Sequence, residues 1–143
     1  MKKKFLVLSS LFFLAAVFLV FKTAKAPDVY FSGHVSIAKN LREKKQNARY
    51  VFFALYDASL EVNMPIAAYR YTMTEKELKQ GRFSFKMGAN NVSFMRELNI
   101  LPKNVKFKLR IQESPQVVFG GEAELSKEWS PIPWGTKNLD LHF

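Results

Sequence analysis

The sequence predicts an all-β protein: an antiparallel sandwich of about seven short strands behind a hydrophobic N-terminal helix. Three observations predict it. Apolar and polar residues alternate with a period of two in one segment after another, the spacing that sends successive side chains to opposite faces of a strand. Turn residues separate these segments, and helical periodicity is nearly missing, the pattern of a sandwich. With 143 residues, including 14 Phe, five Tyr and two Trp, the chain has the length and aromatic content for one core.

Met1 to Lys4 is basic, and Phe5 to Phe21 is an apolar run whose only polar members are Ser9 and Ser10. As a helix that run would be about 25 Å long, slightly under the ~30 Å hydrocarbon core of a bilayer. Residues 1–26 are read as a signal-anchor or a signal peptide, and 27–143 as the sandwich domain. Cleavage after Ala24-Lys25-Ala26 fits the small-x-small pattern. It would leave Pro27, which lacks an N–H, beside the scissile bond. The anchor is the reading taken, with Lys2–Lys4 on the cytoplasmic side. This expects a single-pass protein of the inner (cytoplasmic) membrane with a periplasmic C-terminal domain; the alternative is a soluble periplasmic protein after cleavage.

The strands follow in order. Val29 to Ala38 sets Val29, Phe31, Gly33, Val35 and Ile37 against Tyr30, Ser32, His34 and Ser36. Asn40 to Asn47 reads as a polar, mostly basic loop. Arg49 to Asp57 is apolar on both faces, which suggests the centre of its sheet. Pro65 to Met73 is a further strand with Arg70 outside. Thr74 and Glu77 have capping-box spacing, so one helical turn runs to Gln80 and ends at Gly81. Arg82 to Met87 turns Phe83, Phe85 and Met87 inward. Gly88 to Asn104 is irregular, with a turn or two of helix within Val92–Leu98.

The clearest alternation comes next. Val105, Phe107, Leu109 and Ile111 form a dry face, and Lys106, Lys108, Arg110 and Gln112 a wet one. Glu113-Ser114-Pro115 supplies a turn, and Val117-Val118-Phe119 with Gly120-Gly121 would complete a hairpin. Ser126 to Thr136, with Trp129, Pro131, Pro133 and Trp134, reads as a rigid connection. Asn138 to Phe143 is the last strand.

Charge and motif bound the function. The formal charge is +10, but five of the 22 basic residues lie in residues 1–26 without an acid, and the other 17 face 12 acids. So small an excess argues against a nucleic-acid partner. There is no cysteine, which excludes disulfides, thiolate metal sites and a thiol nucleophile. No nucleophile elbow, paired-carboxylate motif or Gly-rich phosphate loop occurs, so no enzyme and no catalytic residue is expected.

Taken in order, the strands resemble the Ig-like periplasmic domain at the C-terminus of the cytochrome c-type biogenesis protein H family. The matching pieces are Ser32-Gly33, Val51-Phe52-Phe53-Ala54, Met64-Pro65-Ile66-Ala67-Ala68-Tyr69-Arg70, Phe83-Ser84-Phe85, Leu109-Arg110-Ile111 and Gly120-Gly121. The resemblance covers roughly residues 31–143 and does not extend to the family's tetratricopeptide repeats. Where that family tends to carry acidic residues, this chain has Lys86-Met87-Gly88-Ala89. The resemblance implies an Ig-like sandwich in a membrane-tethered accessory protein of cytochrome c maturation. Its partners would be subunits of the haem-ligation complex or apocytochrome c, with the inner membrane held through residues 5–21. The alternative is a non-catalytic periplasmic or envelope structural or interaction module unrelated to haem.

Candidate sites are few. Lys106, Lys108 and Arg110 form a basic strand face, open to anionic lipid headgroups, an acidic partner or haem propionates, or to simple solvation at a sheet edge. Trp129 and Trp134 form either a rigid binding surface or a plug at one end of the core. His34 and His142, on the first and last strands, could pair as ligands with a methionine. They share no short motif and are read as surface histidines, with no metal and no cofactor expected.

Overall fold

The computed structural model describes residues 28–61, 64–116 and 125–143. They form eight strands in two sheets, with two short helices. The strands are β1 (Val29–Ser36), β2 (Tyr50–Asp57), β3 (Ala67–Thr72), β4 (Arg82–Gly88), β5 (Ser93–Phe94), β6 (Asn104–Gln112), β7 (Leu125–Pro133) and β8 (Leu139–His142). The helices are α1 (Lys39–Lys44) and α2 (Glu75–Gln80). One sheet has the order β4-β1-β8 and the other β5-β3-β2-β6-β7. The expected all-β architecture of two sheets is present, and β2 lies at the centre of its sheet as its two apolar faces imply. The expected N-terminal helix and the boundary at residue 26 lie outside the described residues.

The core sits between the sheets. Phe31, Val35, Phe83, Phe85, Met87 and Leu141 from the smaller sheet meet Val51, Phe53, Leu55, Phe107, Leu109 and Ile111 from the larger. Phe31 and Phe107, both fully buried, touch edge to face across the gap with ring centres 4.9 Å apart. Such aromatic pairs add specific geometry to the roughly 1.5–3 kcal/mol each buried apolar side chain contributes.

Gly33 permits one close approach. β1 and β8 run parallel, with Gly33 opposite Leu139. A Cβ at Gly33 would overlap the Leu139 carbonyl and lie 2.7 Å from its Cβ. All other pairings among the described residues are antiparallel, so the expectation of a wholly antiparallel sandwich is corrected at this pair.

Four further expectations change. The basic segment read as a loop from Asn40 contains α1, whose N-cap Ala38 makes no side-chain capping bond. The helical turns expected in Val92–Leu98 are replaced by the two-residue β5. The hairpin half expected at residues 117–121 lies outside the described residues; β6 pairs with β7, with Phe107 opposite Trp129 and Lys108 opposite Glu128. The segment read as a rigid connection is therefore largely a strand. Gln112, placed on the wet face, is buried, and its Nε2 donates to the carbonyls of Ser114 and Gln116.

α2 matches its sequence signature. Thr74 Oγ1 accepts from Glu77 N, Glu77 Oε2 accepts from Thr74 N at 2.8 Å, and Gly81 ends the helix in the left-handed region. That arrangement gives acceptors to Glu77 N and Thr74 N at the start and lets Gly81 N donate to the Glu77 carbonyl at the end, which satisfies part of the orphan set at each end.

Candidate functional site

The strand β6 presents its basic row on the outer face of the five-stranded sheet. Lys106, Lys108 and Arg110 are all half-exposed there, opposite the fully buried set Val105, Phe107, Leu109 and Ile111. Register places each beside a residue of β2: Tyr56 beside Lys106, Ala54 beside Lys108, Phe52 beside Arg110. On the other flank of β2, Phe52 faces Arg70 of β3. The outer face is thus an aromatic strip, Tyr50, Phe52 and Tyr56, bordered by cations on both sides.

The cations are held against the rings. Arg70 Cζ lies 5.2 Å from the centre of Phe52, and Lys106 Nζ 5.4 Å from that of Tyr56, within reach of a cation–π attraction. Arg70 Nη2 also donates to the Pro115 carbonyl, which tethers it across the sheet end. Phe52 is buried yet lies outside the core cluster; the flanking side chains shield it, not the second sheet. Lys108 meets Glu128 at 3.7 Å, an exposed pair that contributes little. Burial, and then the Glu128 charge, raise the Tyr56 hydroxyl pKa, while Arg110 opposes them.

The two tryptophans are elsewhere. Trp129 of β7 packs edge-on against Phe143 at 5.4 Å, and Trp134 closes one end of the core against Phe31 at 5.1 Å and Tyr30 at 5.6 Å. Both are half-buried. The structure does not bring them onto the surface that carries Lys106, Lys108 and Arg110.

His34 and His142 do share a sheet, on adjacent strands. His34 Nδ1 is 2.9 Å from Ser84 Oγ, and His142 Nε2 is 3.2 Å from Asp140 Oδ2. A hydroxyl beside an imidazole is half of a nucleophile–base arrangement, but the neighbouring carboxylate, Asp140, engages the other histidine. Among the described residues no group of three or more His, Asp or Glu converges as a metal site would require.

A groove of about 410 Å³ lies at the other end of the sandwich from Trp134. Ile37, Ala48, Met73 and Leu78 contribute its apolar lining, and Lys39, Arg42, Lys45 and Arg49 its cations. Three of those are engaged, Arg49 by Glu75 at 2.8 Å, Arg42 by the Lys79 carbonyl at 2.6 Å and Lys39 by Glu43 at 3.8 Å. This is the basic segment 39–49 of the sequence, gathered by α1 into one wall.

Sequence reasoning missed the aromatic strip of β2, because two apolar faces read as two buried faces. The signal was present in the tyrosines at both ends of that face and in Arg70, already placed outside. Comparison with family models, with curated proteins and with solved structures finds no match to this chain.

Proposed function

We propose that this chain is a non-catalytic, membrane-tethered periplasmic module that assists cytochrome c maturation by docking to a protein. The partner is the haem-ligation complex or its apocytochrome client, and the two-sheet fold is Ig-like. The single observation that carries the docking part is the outer face of the five-stranded sheet. Tyr50, Phe52 and Tyr56 lie down its central strand between Arg70 and the row Lys106, Lys108 and Arg110. Tyrosine, phenylalanine and arginine are the side chains enriched in protein interfaces, and rows of one charge steer an oppositely charged partner. Support for cytochrome maturation comes from the resemblance alone. Of its motifs, Ser32-Gly33, Val51–Ala54, Ala67–Arg70, Phe83–Phe85 and Leu109–Ile111 fall in β1, β2, β3, β4 and β6.

Deletion of the gene tests the reading, with covalent c-type haem as the readout. The expected result is a loss of haem-bearing cytochrome c, restored by the wild-type chain and not by a chain carrying Lys106→Glu, Lys108→Glu and Arg110→Glu. Normal levels of covalent haem in the deletion strain overturn the proposal.

A further inference from the structure

The large hydrophobic side chains exposed among the described residues are Leu60, Met64, Phe94, Met95, Ile100 and Leu101. All six lie at one end of the sandwich. Leu60 and Met64 belong to the connection after β2, and the other four to β5 and the connection leading to β6. Backbone bonds tie these connections together: Met95 N donates to the Ile66 carbonyl and Ala58 N to that of Asn104. Ile100 is 86% exposed. A cluster of this kind, in contrast to single scattered residues, marks a contact surface.

The same end receives the chain. The ring of Tyr30, the second residue of β1, packs on Phe94 at 5.8 Å. Ala89 N donates to the Asp28 carbonyl, and Lys137 Nζ to the carbonyls of Val29 and Tyr30. Only seven peptide steps separate Phe21, the end of the apolar run, from Asp28. Fully extended they reach at most about 25 Å.

We infer that this end of the sandwich rests on the phospholipid bilayer, with Met95, Ile100 and Leu101 in the boundary between headgroups and acyl chains. The inference rests on the membrane-tethered reading above. It adds that the domain is seated on the lipid surface and does not swing free from its tether. Burying exposed apolar side chains in the interface is favourable in proportion to their area. Tyr30 and Trp134, packed together just behind the cluster, have the amphipathic rings that settle at headgroup level. Seated in this way, the domain turns the groove lined by α1 away from the membrane.

The chain has no cysteine, so single labels are clean. The full-length chain, carrying Ile100→Cys or, at the far end, Lys44→Cys, is coupled to an environment-sensitive fluorophore. It is then reconstituted in vesicles of phosphatidylethanolamine and phosphatidylglycerol. The expected result is a blue-shifted emission at position 100 that brominated lipid quenches, with aqueous, unquenched emission at position 44. Met64→Cys provides a second position in case the first perturbs folding. Aqueous emission at 64 and 100 in protein that floats with the vesicles overturns the inference and leaves the tether standing. Protein that does not float overturns the tether and the inference with it. Shielding that grows with the protein-to-lipid ratio and ignores bromination identifies a second copy at this end, and also overturns the inference.

Discussion

Tyr71 donates its hydroxyl proton to Glu77 Oε1 at 2.8 Å, and the same carboxylate closes the capping box of α2 through Oε2. One side chain therefore serves both the helix end and the sheet beneath it. The Tyr71 ring is held in place by stacking on Phe83 at 5.1 Å. α2 contributes no fully buried residue, only the half-buried Leu78 packed against the core, and this carboxylate adds a polar fastening between the helix and β3.

Removing either partner should loosen that fastening. Tyr71→Phe is expected to cost about 1 kcal/mol, the net worth of one hydrogen bond. Glu77→Ala, which also removes half of the cap, should cost about 1–2 kcal/mol. The double variant should cost less than the sum, because both singles break the same bond. Urea unfolding of the three variants measures this, and full additivity would contradict the shared role.

Alkaline pH should destabilise the fold. Burial, the Glu77 hydrogen bond and the Glu77 charge push the Tyr71 hydroxyl from 10.0 up to about 12. Burial also raises Tyr69 and Tyr56. A group whose folded pKa lies above its unfolded value contributes stability that is complete below the unfolded pKa. That contribution is lost as pH climbs from about 10 towards 12, since the unfolded chain ionises first. Unfolding midpoints across that range should fall, and Tyr71→Phe should flatten the fall. In the folded protein, tyrosinate absorbance should lose its last-titrating component in the same variant.

Gly33→Ala should separate β1 from β8. Its Cβ would collide with backbone at Leu139, and backbone in a paired strand has little room to give way. Overpacking of this kind costs typically about 1–3 kcal/mol. Thermal unfolding should show it, with hydrogen exchange accelerated at β8.

Burial predicts a sharp contrast between two apolar truncations. Phe107→Ala, at the centre of the inter-sheet contact, should cost about 3–5 kcal/mol. Leu101→Ala, more than half exposed, should stay within about 0.5 kcal/mol. Equal effects in denaturant titrations would mean that the exposed end is packed against something in solution.

The strands with clean alternation were legible residue by residue. Val105 to Ile111 and Phe83 to Met87 turn inward as their period requires. So was α2, whose start and stop are local chemistry. α1 was not legible, because Ala38 offers no capping side chain at its start. β7 was hidden by Pro131 and Pro133, which read as breakers. It is an edge strand, where a residue without an N–H is tolerated. Gln112 was misplaced because its burial depends on the turn folding back over its amide. For the candidate site, the basic row was visible from alternation alone. Its aromatic neighbours on β2 were not, since nothing local says which face of that strand the second sheet covers.

By itself the sequence determined the all-β class, most strand positions, the inward side of each clean strand and the helix between β3 and β4. These depend on side-chain period and capping chemistry within a few residues. Only the tertiary structure decided that β6 pairs with β7, that β8 lies parallel to β1 through Gly33, and that Trp129 and Trp134 pack away from the basic row. It also decided that the exposed apolar side chains gather at the end where the chain enters. Pairing partners and shared ends are chosen by contacts between residues far apart in the chain. Their energy exists only once both sheets have closed on the Phe31–Phe107 core.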